Sequence, residues 1–297
     1  MLIEKLHLDE VDIETDAVAR MVSEQFPQWS GRPLAPLYPA GTDNVMFNLD
    51  GLFALRLPRT PAAARLLEKE LTYPPMLAPL LTADIPMTVA TGAPTAGYPF
   101  TWAVSRWLPG RNPLPGRAPD SVAVQLAGFV RALHSIVPPA PSEALHSYRG
   151  GLLAARDLET LTAITRCEDQ FDAARLTRAW DIALQAPVGT GPATWIHTDL
   201  QPGNLLVDRG MLSGVIDWGG LAVGDPAIDL IVAWNLLDDA GRLAFRRTLG
   251  VADGDWERGR GWALSIGLVA YPYYIDSNPT LAAVSKYQIE QVLADLG

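Results

Sequence analysis

Apolar and polar residues alternate most regularly between Asn44 and Leu57, in the stretch NVMFNLDGLFALRL. The apolar positions fall two residues apart on either side of Asp50-Gly51, at Val45, Phe47, Leu49, Phe53, Leu55 and Leu57. A period of two is typical of a strand with one buried face, and Asp-Gly favours the tight turn of a hairpin. The pattern therefore predicts a β-hairpin over residues 44–57.

The hydrophobic period changes after this hairpin. Thr60-Pro61 is typical of a helix start, and apolar residues then lie three and four positions before Glu70. We therefore expect a helix with Glu70 on its inner face, ended by Pro74-Pro75. Two further extended segments, near residues 86–89 and 100–105, would complete a small sheet.

The second part of the chain has a helical period. Residues 107–119 (WLPGRNPLPGRAP) are rich in proline and glycine, as expected of a connection, and predict a first domain of residues 1–106 and a second of residues 107–297. A helix is predicted from Ser121, with Asp120 as its cap. Helices are also predicted within residues 156–180 and from the end of a hairpin segment to the C-terminal end of the sequence.

That hairpin segment, residues 195–218, reads WIHTDLQPGNLLVDRGMLSGVIDW. Two apolar strands, 205–207 and 212–216, flank an Asp-Arg-Gly turn, so strand pairing would bring Asp199, Asn204 and Asp217 near one point. The oxygens of Asn204 and Asp217 suit Mg²⁺, which takes few protein ligands together with phosphate oxygens. Asp199 would then remain as a base, although both aspartates could instead simply cap turns.

Composition restricts the partners that we expect. The sequence has 23 Lys plus Arg against 33 Asp plus Glu, a net charge of −10, which disfavours nucleic acid and anionic membranes and suits a cationic small molecule. Cys167 is the only cysteine, which fits a reducing cytosol. The N-terminal residues lack the apolar core of a signal peptide, and no tract is long enough to span a membrane, so we expect a cytoplasmic protein.

The motifs of the hairpin segment resemble those of the aminoglycoside phosphotransferase family, which are protein-kinase-like small-molecule kinases. The resemblance rests on His197-x-Asp199-x-x-x-x-Asn204 and on Ile216-Asp217-Trp218, within WIHTDLQPGNLLV and GVIDWGGLAVGDPAIDL. The upstream pieces GTDNVMFNL, ALRLPR, LEKEL and SRWLPG follow in the family's order. The resemblance implies an α+β, bilobal protein-kinase-like fold, with a small β-rich N-terminal nucleotide-binding lobe and a larger, mostly helical C-terminal lobe.

The resemblance also implies roles for residues of the helical lobe. Asp199 resembles the catalytic base, Asn204 and Asp217 resemble the magnesium ligands, and His197 would support the loop. Thr198 stands where the family often has glycine, and Gln201 where it often has histidine. Asp225 and Asp229 would hold the catalytic loop through backbone hydrogen bonds.

In the β-rich lobe the resemblance concerns the nucleotide. Arg56 stands where the family usually has a lysine that reaches the α- and β-phosphates, and Glu70 matches the helix glutamate that pairs with it. Arginine keeps the charge but not the geometry of lysine. Other residues expected at the nucleotide are those of the phosphate-covering loop, Gly41, Thr42 and Asn44, and those of the hinge at the base, Ser105 and Trp107.

The activity implied is magnesium-dependent transfer of the γ-phosphate of ATP or GTP to a hydroxyl of a small molecule, with aminoglycoside and macrolide antibiotics as candidates. A metabolic kinase of an amino alcohol, sugar or homoserine-like acceptor would use the same residues. A nucleotide-binding protein without turnover is a third reading, motivated by Arg56. Paired carboxylates also occur in glycosidases, but that function leaves Asn204 and the hairpin unexplained.

Overall fold

A computed structural model of the chain describes residues 2, 3, 5, 9–38, 43–140, 142–189 and 191–296. The chain divides into two compact units. The first comprises Met1–Pro79 and Ile85–Leu108, and the second comprises Leu80–Asp84 and Pro109–Gly297. The boundary proposed from the sequence, between residues 106 and 107, lies just before this division.

The first unit is built around a five-stranded antiparallel sheet of order β1-β2-β3-β5-β4. Its strands and helices are α1 (Thr15–Gln25), β1 (Leu34–Pro36), β2 (Asn44–Leu49), β3 (Phe53–Pro58), α2 (Pro61–Thr72), α3 (Pro74–Leu77), β4 (Thr88–Gly92) and β5 (Trp102–Arg106). The predicted hairpin is β2–β3. Asp50 and Gly51 adopt φ values of 56° and 68° at its turn, a conformation that glycine and aspartate tolerate well.

Alternation along the hairpin builds the core of the first unit. The inward residues of β2 and β3 are buried with Trp102 and Val104 of β5, and α1 contributes Val18 and Val22 to the same cluster. The predicted helix is also confirmed as α2. It begins with Thr60 as its cap, whose Oγ1 accepts a hydrogen bond from the Ala63 amide at 3.2 Å.

The second unit is mostly helical. Its elements are α4 (Asp120–Ser135), α5 (Asp157–Arg166), α6 (Ala173–Gln185), β6 (Thr194–Ile196), β7 (Leu205–Asp208), β8 (Met211–Val215), β9 (Ala222–Gly224), α7 (Val232–Asn235), α8 (Asp239–Leu249), α9 (Asp253–Tyr274) and α10 (Pro279–Asp295). The prediction that Asp120 caps α4 was wrong. Asp120 is the first residue of the helix, because Pro119, with its extended backbone, occupies the cap position. The negative charge of Asp120 in the first turn still interacts favourably with the helix dipole.

Two short two-stranded sheets interrupt the helices of the second unit. The strands β7 and β8 form the predicted hairpin, and β6 pairs with β9 through Ile196 and Ala222. Segment 80–84 joins this unit because the Asp84 carbonyl accepts the Val215 amide at 2.9 Å. None of the helices in the described part of the chain is long and apolar enough to cross a membrane.

Candidate active site

The β7–β8 hairpin brings Asn204 and Asp217 to the same end of the two strands. Leu205 pairs with Val215, and the Asn204 carbonyl accepts a hydrogen bond from the Ile216 amide at 2.9 Å. Asn204 ends a 3₁₀ turn that leads into β7, whereas Asp217 follows β8. The sequence predicted that Asp199, Asn204 and Asp217 lie close together, and the hairpin places Asn204 and Asp217 at the same end of its two strands.

Asp199 lies on the loop before this hairpin and is tied directly to Asn204. The Asn204 Nδ2 donates to both the backbone carbonyl and the Oδ2 of Asp199, each at 2.9 Å. Gln201 Nε2 donates to the same Oδ2 at 3.0 Å. The carboxylate is thus oriented by two amide side chains while about a quarter of the side chain, 27%, remains exposed.

The chemistry of Asn204 and Asp217 fits a magnesium ion. Because the Asn204 Nδ2 is used by Asp199, its Oδ1 is the atom that can bind a cation. Asp217 lies two residues after the end of β8 and has a left-handed backbone, with φ 64°. Within the described residues, no group of three or more His, Cys, Asp and Glu is placed to hold a metal. A Mg²⁺ ion held by Asn204 and Asp217 would take its other ligands from phosphate oxygens and water.

The loop that carries Asp199 is held by the fully buried Asp229. Its Oδ2 accepts the His197 amide at 3.0 Å and its Oδ1 accepts the Thr198 amide at 2.8 Å. His134, at the end of α4, contacts Oδ2 through Nε2 at 3.0 Å. Thr198 has φ 74°, a backbone conformation that residues other than glycine rarely adopt. The hydrogen bond from its amide to Asp229 helps to hold this strained conformation.

His197 connects the loop to the end of β8. Its Nε2 lies 3.1 Å from the Ile216 carbonyl, and its Nδ1 lies 3.4 Å from the Asp199 amide. The two contacts suit a ring with hydrogen on Nε2 and a lone pair on Nδ1. The ring also packs edge-on against Trp218, with centroids 4.9 Å apart.

Asp225 holds the segment that carries Asp229. It caps the 3₁₀ turn Pro226–Ile231 by accepting the Ala227 amide at 3.0 Å. Arg258 of α9 binds both of its carboxylate oxygens, at 2.7 and 3.0 Å. These hydrogen bonds raise the pKa of Arg258 above its ordinary value, because they favour the charged guanidinium. No pattern in the sequence predicted Arg258 as the partner of Asp225, which lies 33 residues away.

In the first unit Arg56 and Glu70 form an ion pair. Arg56 lies on β3 opposite Met46 and Ala103, and its Nη1 donates to Glu70 Oε2 of α2. The two side chains are only 17% and 14% exposed, so this pair is partly shielded from water. The hydrophobic period of α2 explains why Glu70 faces inward.

Of the other predicted nucleotide residues, Asn44 and Ser105 lie on strands of the first unit, and Trp107 directly follows β5. Asn44 begins β2, and its Oδ1 is buried without a hydrogen-bond partner among the described residues. Ser105 pairs with strands β3 and β4, and the Trp107 amide donates to the Leu52 carbonyl at 2.9 Å. Gly41 and Thr42 lie outside the described residues.

Arg149 contacts the loop that carries Asp199, and no pattern in the sequence predicted the contact. Arg149 donates through Nη1 to Asp199 Oδ1 at 2.5 Å and lies 50 positions before it. The pattern Arg-Gly-Gly at 149–151 indicates a turn, but nothing in the sequence relates it to Asp199.

The chain is similar in sequence to known phosphotransferases. The model of a phosphotransferase enzyme family matches residues 36–262. An aminoglycoside 3'-phosphotransferase of Escherichia coli is 26% identical over 144 residues, which cover 46% of this chain and 53% of that protein. The match therefore spans about half the length of this curated relative.

Solved structures show the same fold. The GDP and kanamycin complex of the phosphotransferase APH(2″)-IIIa has a TM-score of 0.68 and 23% identity, covering 94% of this chain and 99% of that one. A macrolide 2'-phosphotransferase from Brachybacterium faecium has a TM-score of 0.65 and 20% identity, covering 94% and 97%. The predicted kinase-like α+β fold and the predicted family are thereby confirmed, and the chain belongs to the phosphotransferase enzyme family.

Proposed function

We propose that the protein transfers the γ-phosphate of ATP or GTP to a hydroxyl group of a small molecule. Asp199 would accept the proton of that hydroxyl, and Asn204 and Asp217 would hold Mg²⁺. Arg56, positioned by Glu70, would contact the nucleotide phosphates in the role usually taken by lysine. The observation that carries the proposal is the hairpin that brings Asn204 and Asp217 together beside the oriented carboxylate of Asp199.

The proposed reaction needs no covalent enzyme intermediate. The acceptor O–H bond breaks as its proton passes to Asp199, and the acceptor oxygen bonds to the γ-phosphorus. The bond from that phosphorus to the β–γ bridging oxygen breaks, and the nucleoside diphosphate leaves. Such a transfer depends on positioning and on charge neutralisation. When bound, Mg²⁺ would neutralise part of the phosphate charge.

The buried supports favour this function over a mere set of turn caps. A carboxylate that only capped a turn would not need its loop fixed by a second, fully buried aspartate. Here Asp229 holds the amides of His197 and Thr198, the two residues directly before Asp199. Burying the charge of Asp229 is unfavourable unless hydrogen bonds compensate it. Here the two backbone amides do so, and these bonds hold the loop in a fixed geometry.

Aminoglycosides and macrolides are the first acceptors to test, because relatives named for these substrates share the fold or part of the sequence. The net charge of −10 also suits a cationic acceptor. We infer that antibiotics of one of these classes accept the phosphate. A metabolic acceptor such as an amino alcohol or a sugar is the competing outcome.

The test combines binding with turnover. Calorimetric titration with ATP and GTP, with and without Mg²⁺, should show magnesium-dependent binding of at least one nucleotide. Phosphorus NMR should then detect a new phosphate monoester with one member of a panel of kanamycin, a macrolide, amino alcohols and sugars. The absence of both nucleotide binding and any phosphorylated product would overturn the proposal.

Asp199→Asn identifies the base in the same assay. Nucleotide affinity should change little, whereas turnover should fall by about 10²- to 10⁴-fold, since general-base catalysis is lost. Asp208→Asn is the matched control, because Asp208 ends β7 with its side chain 49% exposed. Equal turnover in the two variants would exclude Asp199 as the base.

A further inference from the structure

Arg149 contacts the proposed base, yet the proposed function gives it no role. Its Nη1 lies 2.5 Å from Asp199 Oδ1 and 3.3 Å from the Thr198 carbonyl. The two side chains of the ion pair are 26% and 27% exposed. The ion pair is therefore partly open to solvent, and an acceptor must reach the same carboxylate.

The hydrogen bonds around Asp199 treat its two oxygens differently. Oδ2 accepts from Gln201 Nε2 and from Asn204 Nδ2, at 3.0 and 2.9 Å. A carboxylate offers about four acceptor positions, about two on each oxygen. The two amides therefore fill Oδ2, while Arg149 takes one position on Oδ1. The remaining position on Oδ1 is the one that can accept a hydroxyl proton.

Arg149 is itself held in a fixed position. Its Nε donates to the Tyr148 hydroxyl at 3.1 Å, and its guanidinium lies 5.8 Å from the centre of the same ring. Burial alone would lower the pKa of Arg149, but the charge of Asp199 and the contacts with Tyr148 raise it above its ordinary value. The guanidinium thus stays charged at any pH at which the protein works.

The backbone after Arg149 is anchored to the sheet that leads into the catalytic loop. Gly150 has φ 83°, and a Cβ there would lie 2.3 Å from the Ile196 side chain of β6. The Gly150 carbonyl also accepts the Asp225 amide at 2.8 Å. Arg149 and Asp199 are therefore positioned from the same short sheet, which fixes the donor relative to the carboxylate.

We propose that Arg149 is a positioning residue for phosphoryl transfer: it holds the Asp199 carboxylate so that Oδ1 faces the acceptor hydroxyl. This inference rests on the proposed function of Asp199 as the base. An arginine donor suits the task because its planar group binds carboxylates with defined direction. Gln201, which also donates to this carboxylate, carries no charge, whereas Arg149 brings a positive charge to it.

Arg149→Met tests the inference in a reaction that needs no identified acceptor. Magnesium-dependent hydrolysis of the nucleotide uses water as the acceptor and would require the same base. We expect kcat to fall about 10- to 100-fold, the effect of a misplaced catalytic group, while KM for the nucleotide stays within about two-fold. Arg149→Lys and added millimolar guanidinium chloride should each restore part of the rate. An unchanged kcat, or a rise of nucleotide KM by the same factor as the fall of kcat, would overturn the inference.

Matched variants separate positioning from stability. The Arg156 guanidinium lies 5.2 Å from the centre of the same Tyr148 ring but pairs with Glu159, so Arg156→Met should keep the wild-type rate. In the Asp199→Asn background, Arg149→Met should cause no further loss, because the carboxylate that it positions is gone. Additive losses in the double variant would contradict the inference.

Two further outcomes keep the two proposals distinct. If Arg149→Met lowers the melting temperature, Tyr148→Phe serves as the second variant, because it removes only the partner of the arginine Nε. Tyr148→Phe should still lower kcat several-fold at constant nucleotide KM. A wild-type rate in Tyr148→Phe would then overturn the inference. Wild-type turnover that depends on Asp199 but not on Arg149 would refute the positioning role alone, whereas wild-type protein without magnesium-dependent turnover would refute both proposals.

Discussion

Replacement of the buried Asp229 tests whether one carboxylate holds the loop that carries Asp199. Asp229→Asn keeps one oxygen of the two that bind the amides of His197 and Thr198 at 3.0 and 2.8 Å. An amide NH₂ group would then face a backbone N–H, which leaves buried donors without an acceptor. Each such donor costs about 1–3 kcal/mol, and the retained bond loses its charge assistance. We therefore expect the free energy of unfolding to fall by about 2–5 kcal/mol.

Urea unfolding followed by tryptophan fluorescence measures this loss, and unchanged slopes would show that the unfolded state is the same. The control is Asp208→Asn, the same chemical change at a half-exposed residue of the neighbouring hairpin. Nucleotide binding should survive in the folded fraction, whereas turnover should fall with the displacement of Asp199. Stability within about 0.5 kcal/mol of wild type, the usual range for a surface change, would refute the supporting role of Asp229.

Three other perturbations have defined expectations. Asp217→Ala should weaken nucleotide binding in the presence of Mg²⁺ but not in its absence, and identical calorimetric titrations would contradict the metal role. Gly224→Ala should lower stability by about 1–3 kcal/mol, because its methyl group would lie 2.7 Å from the Gly150 carbonyl; an unchanged melting temperature would contradict that packing. The buried Tyr98 hydroxyl donates to the Pro58 carbonyl at 2.8 Å, and burial raises the pKa of Tyr98. Because the unfolded tyrosine loses its proton near pH 10, wild-type stability should fall as the pH rises above about 10, and less so in Tyr98→Phe; parallel stability curves would exclude this linkage.

The local elements that the sequence predicted correctly are those in which one pattern governs the whole element. Strict alternation around Asp50-Gly51 determined the β2–β3 hairpin, and a proline start with a helical period determined α2. The apolar strands beside the Asp-Arg-Gly turn likewise predicted the pairing of β7 with β8. In each case the partner lies close in the chain, so local propensity and packing favour the same structure.

Elements that depend on distant partners were not predictable in this way. The strands β6 and β9 have three residues each and are stabilised by pairing across the intervening hairpin, so neither carries a periodic signal. The contacts of Asp199 with Arg149 and of Asp225 with Arg258 join residues far apart in sequence. An arginine followed by glycines reveals a turn, but only the tertiary fold shows which carboxylate the arginine meets.

The roles of the site residues depend most on Asp199, and one measurement tests that residue directly. Single-turnover transfer of a labelled γ-phosphate should be compared between wild type and Asp199→Asn at saturating nucleotide and Mg²⁺, with the acceptor identified by the panel or with water. We expect nearly equal nucleotide affinity and a loss of transfer rate of about 10²-fold or more in the variant. Transfer at the wild-type rate in Asp199→Asn would exclude Asp199 as the base.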